Sequence, residues 1–261
     1  MKAQRLPGAS SSAVRRIHLS GGTGLVLRRY VWAGFLEDEP DAPQREFEAL
    51  NFAAAHALPV PKVVAADFTG GDIGDGVPAI LMTFLRGRAL ASPNPVRLAE
   101  TAVSIHDTDP GTFAQDYFAW FEDLPDRPPS NARQPHLWER ALTIRHGGTP
   151  SYRPTFIHRD FHPGNVLWLR QRCSGVVDWA NSCRGPCGCD VATCYGNLIG
   201  WAGHQVADEF AAAYTALTGE GQHPYWEIAS VLEHGPSPWA SEDITESEQR
   251  LELAIAAMGT T

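Results

Sequence analysis

Between two stretches of helical periodicity the chain carries one strand-rich island, residues 155–178, and that island leaves few folds open. It reads Phe156-Ile157-His158-Arg159-Asp160-Phe161-His162-Pro163-Gly164-Asn165-Val166-Leu167-Trp168 and, after a turn placed at residues 172–175, Val176-Val177-Asp178-Trp179. The apolar runs 166–169 and 175–177 are the arms of an expected β-hairpin. Closing that hairpin brings Asp160, Asn165 and Asp178 to one of its ends, although they are far apart in sequence. Pro163-Gly164 forces a turn that lets the Asp160 and Asn165 side chains converge. Two carboxylates and a carboxamide supply only oxygen donors, a set that suits hard Mg²⁺ better than Zn²⁺.

The 261 residues, 43% of them hydrophobic, allow one large domain or two lobes with a core that needs no disulfide or metal staple. No apolar run reaches the ~18 residues of a membrane-spanning helix. The first twelve residues lack the apolar stretch of a secretory signal. Five cysteines, an odd count, point to a reducing cytoplasm. A membrane partner is therefore not expected. The net charge of -9 also argues against general nucleic-acid binding. Charge is unevenly spread: up to Tyr30 the chain carries Lys2, Arg5, Arg15, Arg16, Arg28 and Arg29 and no acid. Lys2 and Lys62 are the only lysines, and neither follows a glycine-rich turn, which excludes a Walker-type phosphate loop. A Gly-x-Ser-x-Gly elbow and a His-Glu-x-x-His zinc motif are both absent.

Along the chain, residues 13–18 and 25–32 read as β-prone runs around the hairpin signal Gly21-Gly22-Thr23-Gly24. Residues 44–57 read as a helix with Phe47, Leu50 and Ala54 at helical spacing, ended by Pro59 and Pro61. Two more strands are expected at 62–67 and 79–84, and a linker at 85–95. Beyond it the pattern is helical. Leu98, Ala102 and Ile105 mark one helix; Val206, Phe210, Tyr214 and Leu217 mark another, stopped at Gly219. Thr245 and Glu248 suggest a capping box before a last helix through Met258. The economical arrangement is two lobes, a sheet with one helix and then helices, divided as 1–84 and 85–261.

His-Arg-Asp, four residues, Asn, and a later Asp beyond a hairpin resembles the catalytic loop and metal-binding Asp of kinases. The wording His158-Arg159-Asp160-Phe161-His162-Pro163-Gly164-Asn165, with Asp178-Trp179 in place of Asp-Phe-Gly, resembles the aminoglycoside phosphotransferase and choline kinase-like family. The likeness extends to Gly8-Ala9-Ser10-Ser11-Ser12, Leu25-Val26-Leu27-Arg28, Arg45-Glu46, Leu81-Met82-Thr83, and Gly185-Pro186 with Asp190. It implies an α+β, bilobal, protein-kinase-like fold: a small antiparallel sheet plus helix, then a larger, mainly helical lobe holding the catalytic hairpin. It further implies transfer of the γ-phosphoryl group of ATP or GTP, with Mg²⁺, to a hydroxyl of a small molecule. That acceptor could be an aminoglycoside, another antibiotic, an amino alcohol or a sugar-like metabolite, cationic or neutral. By this resemblance Asp160 orients or deprotonates the hydroxyl, and Asn165 and Asp178 hold Mg²⁺. Arg28, paired with Glu46, contacts the phosphates. Ser10, Ser11 and Ser12 cover them, and the main chain of Met82 and Thr83 bonds the base.

Arg28 or, with a one-residue slip, Arg29 stands where kinases usually carry lysine, and the chain after Gly219 is short for the family, which implies a truncated or shallow acceptor pocket. Both departures motivate the alternative of a nucleotide-binding pseudokinase that serves as an interaction module. A protein Ser/Thr kinase is disfavoured because no Ala-Pro-Glu segment follows Asp178. Cys183, Cys187, Cys189 and Cys194 contain no Cys-x-x-Cys pair and read as small buried or loop thiols. His158 and His106 read as bracing or packing residues, and Trp168 and Trp179 as cleft walls. Trp226 and Trp239 face either substrate or core. Glu122, Asp123, Asp126 and Glu233 form either a solvated acidic face or a site for a cationic acceptor.

Overall fold

A computed structural model describes residues 2–6, 12–20, 24–72, 74–120, 126–234 and 244–259. The β-prone runs near the N-terminus pair as expected, with one addition. Strands β1 (Lys2–Arg5), β2 (Ala13–His18), β3 (Gly24–Arg29), β4 (Val63–Asp67) and β5 (Ala79–Thr83) form one antiparallel sheet in the order β1-β2-β3-β5-β4. Strand β1 escapes a pattern-based reading because all four of its residues are exposed and its edge position demands no apolar alternation. Helix α1 (Ala33–Asp38) is a short addition, and α2 (Ala42–Ala55) follows it. The buried residues Glu46, Ala49, Leu50 and Ala53 recur along α2 at three- and four-residue steps, which gives it one inward face.

From Phe84 the chain leaves the sheet and becomes mainly helical: α3 (Pro95–His106), α4 (Pro135–His146), α5 (Cys187–Ala202), α6 (His204–Thr218), α7 (Pro224–His234) and α8 (Thr245–Met258). Asn94 caps α3 by accepting from the Arg97 N–H at 3.0 Å, and Gly219, at φ 74°, ends α6 in the left-handed conformation glycine favours. Helix α5 was not foreseen, because three cysteines and three glycines in sixteen residues dilute its helical signal. Thr245 does not cap α8: it is the first helical residue, and the neighbouring Ile244 makes no side-chain cap. Glu248 is buried and accepts instead from the Arg133 and Gln134 N–H groups and from Trp138 Nε1. Two helices, α7 and α8, follow Gly219, so this part of the chain is structured rather than vestigial.

Three short pieces frame the island. Strand β6 (Thr155–Ile157) pairs with β9 (Cys183–Gly185), and β7 (Val166–Leu169) pairs with β8 (Arg172–Val176) after a single 3-10 turn over Pro163–Asn165. The expected hairpin forms, but its turn lies at Arg170 and Gln171 (φ 51° and 64°), so residues 172–175 belong to the second arm. Glycine seats this hairpin against the segment leaving the sheet. A Cβ on Gly175 would lie 2.2 Å from Leu85 Cδ1, and Gly87, at φ 139°, faces the Trp168 carbonyl.

One core joins sheet and helices. Phe52 of α2 packs against Phe113 and Phe156 with ring centroids 4.9 and 4.7 Å apart. Trp179 is fully buried and stacks on Phe156 at 5.7 Å, and Trp168 and Trp226 are buried too. These tryptophans fill the core; neither Trp168 nor Trp179 walls the cleft. Trp239 lies outside the described residues.

Candidate active site

A cavity of about 380 Å³ opens between the sheet and the β7–β8 hairpin. Val14, Val26, Met82 and Leu167 give it apolar walls, while Arg28, Asn165 and Asp178 form its polar end. An apolar slot ending in a few convergent polar groups is the form of a small-ligand site.

The hairpin brings two of the three motif side chains together directly. Asn165 Nδ2 donates to the Asp160 carbonyl at 2.9 Å and to Asp160 Oδ2 at 3.1 Å. The Val177 N–H donates to the Asn165 carbonyl at 2.9 Å, which places Asp178 beside Asn165. His158 Nε2 lies 2.9 Å from the Val177 carbonyl and ties the loop to the hairpin; burial lowers its pKa. Asp178 itself sits at φ 69°, a strained conformation that aims the carboxylate into the cleft end.

Arg28 spans the cleft. Its Nη1 donates to Glu46 Oε1 at 2.8 Å and to Asp178 Oδ1 at 2.6 Å, so the sheet, α2 and the hairpin meet at one nitrogen. Burial alone would lower the pKa of this guanidinium, but Glu46 and Asp178 hold it above the ordinary arginine value. Burial likewise raises Asp178, and Arg28 more than offsets it, leaving the carboxyl below its usual range. Burial pushes the Glu46 carboxyl up against the opposing pull of Arg28. Asp160 has no such cation: burial, then the nearby Asp178 charge, push it up to about 7. His162 Nε2 lies 3.8 Å from Asp160 Oδ1, yet burial drives His162 down to about 4, so the imidazole is neutral and the approach is not an ion pair.

Asp190, which sequence reasoning placed only by resemblance, braces the loop. It accepts from the His158 and Arg159 N–H groups at 2.8 and 2.7 Å, and His106 Nε2 approaches it at 3.0 Å. Arg159, at φ 69°, turns away from the cleft and pairs through both terminal nitrogens with Glu233 at 3.0 Å, under the Trp120 ring at 4.0 Å. Both Glu233 oxygens are thereby used and Glu233 is not a free anionic contact. Asp126 pairs with Arg145 and His146.

The other expected residues are distributed differently. Ser12 is buried and does not line the cavity; Ser10, Ser11, Glu122 and Asp123 lie outside the described residues. Met82 and Thr83 do line it, but the Thr83 N–H donates to the Lys62 carbonyl at 2.9 Å and is unavailable to a ligand. The unpaired main chain starts two residues later: Leu85, Arg86 and Gly87 have no backbone partner among the described residues. A strand's last paired residue cannot be located from sequence to that accuracy.

The donor set fits Mg²⁺. Asn165 spends its side-chain nitrogen Nδ2 on Asp160 and keeps its side-chain oxygen Oδ1, and Asp178 keeps Oδ2 while Arg28 takes Oδ1. One or two protein oxygens plus phosphates suffice for this ion. No group of three His, Cys, Asp or Glu side chains forms a metal cage among the described residues, and the five cysteines are free thiols.

A family model described as "phosphotransferase enzyme family" matches residues 2–228. The chain belongs to that family. No curated protein sequence matches it. Among solved structures it is similar to an aminoglycoside-3'-phosphotransferase of type VIII, with 20% identity and TM-score 0.65 over 88% of this chain and 93% of that one. A thermostable aminoglycoside phosphotransferase APH(4)-Ia mutant, solved with ADP and hygromycin B, gives 16% identity and TM-score 0.69 over 100% and 95%. A choline/ethanolamine kinase family protein from Mesorhizobium loti gives 18% and 0.62 over 99% and 88%. The fold is thus α+β and protein-kinase-like, and the likeness of this phosphotransferase covers 93%, 95% and 88% of those neighbours' chains. No described helix is long and apolar enough to cross a membrane.

Proposed function

We propose that this phosphotransferase moves the γ-phosphoryl group of ATP or GTP to a hydroxyl of a small molecule, with Mg²⁺ held by Asn165 and Asp178. The observation that carries the reading is the convergence of Asn165, Asp178 and Arg28 at the polar end of one apolar slot, with Asp160 hydrogen-bonded to Asn165 beside it. The base lies between Val26 and Met82 of the sheet on one side and Leu167 of the hairpin on the other, and bonds the main chain at residues 85–87. Arg28 holds a phosphate oxygen, and Glu46 holds Arg28. Mg²⁺, when bound, neutralises the phosphate charge that grows during transfer. Asp160 Oδ1, the oxygen not engaged by Asn165, takes the acceptor's proton as its oxygen bonds to the γ-phosphorus and the bond to the β-phosphate oxygen breaks, releasing the nucleoside diphosphate. A carboxyl near neutrality is well matched to that proton transfer.

The division at residues 84 and 85 belongs to the same reading, with the nucleotide between the sheet and the helical part. Free thiols throughout and no spanning helix support a cytoplasmic location. The acceptor is a small molecule, a reading supported by the neighbour solved in a ternary complex with ADP and hygromycin B. The test is a screen of hydroxylated amines, sugars and antibiotics with ATP and GTP, with and without Mg²⁺. Magnesium-dependent transfer to one class supports the reading. Nucleotide binding with neither transfer nor slow hydrolysis would favour a binding module.

A further inference from the structure

Arg28 has five donor positions, and the structure uses one nitrogen for both of its carboxylate partners. A guanidinium and a buried carboxylate left to themselves prefer a two-pronged fork. The group that competes for the second prong's place here is Tyr30. It is 1% exposed, and its hydroxyl donates to Glu46 Oε2, the oxygen a second Arg28 prong would need. Period-two alternation along the chain sends Arg28 and Tyr30 to the same side, and the Arg28 guanidinium carbon lies 5.1 Å from the Tyr30 ring centroid. The Tyr30 N–H donates to the Pro78 carbonyl at 3.0 Å, which fixes the backbone below the ring. Arg28 Nε is buried without a partner, and Nη2 makes no hydrogen bond to the described residues. Arg28 lines the cavity and Tyr30 does not, so Tyr30 acts through its neighbour.

We infer that Tyr30 is a positioning residue: by occupying Glu46 Oε2 it confines Arg28 to a one-nitrogen contact and leaves Nη2 for a nucleotide phosphate. The inference rests on the reading of the cavity as a nucleotide site. It also accounts for arginine at a position where kinases use lysine. A lysine has one nitrogen and no fork to prevent, whereas an arginine needs a second group to keep its fork open toward the ligand.

The experiment is calorimetric titration of Mg²⁺ with the non-hydrolysable analogue AMP-PNP into wild type, Tyr30→Phe, Arg28→Lys and the double variant. Tyr30→Phe should weaken binding ~10-fold, the scale of one charge-assisted contact, because Arg28 turns both prongs to Glu46. On the Arg28→Lys background the same change should alter binding less than ~2-fold, since the two residues then no longer couple. Equal weakening on both backgrounds, or none on either, overturns the inference; the first marks Tyr30 as merely structural. Wild type that binds no nucleotide overturns the site reading instead, and this inference with it. Should Tyr30→Phe fail to fold, a crystal structure of the unaltered protein with AMP-PNP decides. Nη2 on a phosphate oxygen, with Tyr30 still on Glu46, is expected; an Arg28–Glu46 fork would contradict it.

Discussion

At Asp160, stability and function pull in opposite directions. Its carboxyl, 33% exposed, titrates near 7 in the folded chain against roughly 3.9 when unfolded. Between those values the folded state binds more protons than the unfolded state, so Asp160 costs stability increasingly as pH rises from about 4 to 7. After allowance for solvent screening the cost above pH 7 is about 1–2 kcal/mol. Asp160→Asn should therefore raise the thermal midpoint of the metal- and nucleotide-free protein by ~3–6 °C at pH 8 and leave it nearly unchanged at pH 4, as followed by circular dichroism. The same variant should slow phosphoryl transfer ~10²- to 10⁴-fold while nucleotide binding survives, because the proton acceptor is lost and the phosphate contacts are not. Transfer at the wild-type rate would remove Asp160 from its role. These side chains were legible in sequence because their spacing implies their meeting. Tyr30 was not: nothing in a strand's period announces that a tyrosine two residues beyond Arg28 will share its carboxylate partner.

Elements carry their own predictions, and the catalytic hairpin is the clearest. Its two-residue turn places Arg170 and Gln171 at positive φ, a conformation that side-chain-bearing residues adopt at a cost of ~1 kcal/mol each. Gln171→Gly should raise the thermal midpoint by ~1–3 °C with unchanged nucleotide affinity, since Asn165 and Asp178 lie at the opposite end of the hairpin. Helix α5 behaves in the reverse sense at Gly188. A Cβ there would sit 2.2 Å from Trp226 Cδ1, and that indole is buried among Tyr117, Tyr152 and Tyr225. Gly188→Ala should push α5 from α7 and cost ~1–3 kcal/mol, visible as a midpoint ~3–8 °C lower in a thermal melt. The strands and helices readable in sequence were those with one apolar face, such as β2, β3, α2 and α6. Elements lacking that contrast were not: β1 is exposed along its length, and α5 is buried over eight of its sixteen residues and spelled in small ones.

Across the whole molecule, the two-part layout was legible as a change from period two to period 3.6, but the way the parts are joined was not. Phe52 reaches from α2 into the helical part, and Arg28 reaches from β3 to Asp178, so the sheet and the helices share one core and one buried ion cluster. Nucleotide binding at that junction should stabilise both parts together. At a hundredfold excess over Kd, Mg²⁺ and nucleotide should add ~2.7 kcal/mol and raise a single melting transition by ~5–10 °C. Two separate transitions, with only one shifted, would deny the shared core. The most direct measurement is the Mg²⁺ dependence of AMP-PNP affinity in wild type and in Asp178→Ala. Wild type should bind the analogue at least ~10-fold more tightly when Mg²⁺ is added, and Asp178→Ala should lose that gain. An affinity that ignores Mg²⁺ in wild type, or a gain that survives the loss of Asp178, would contradict the account.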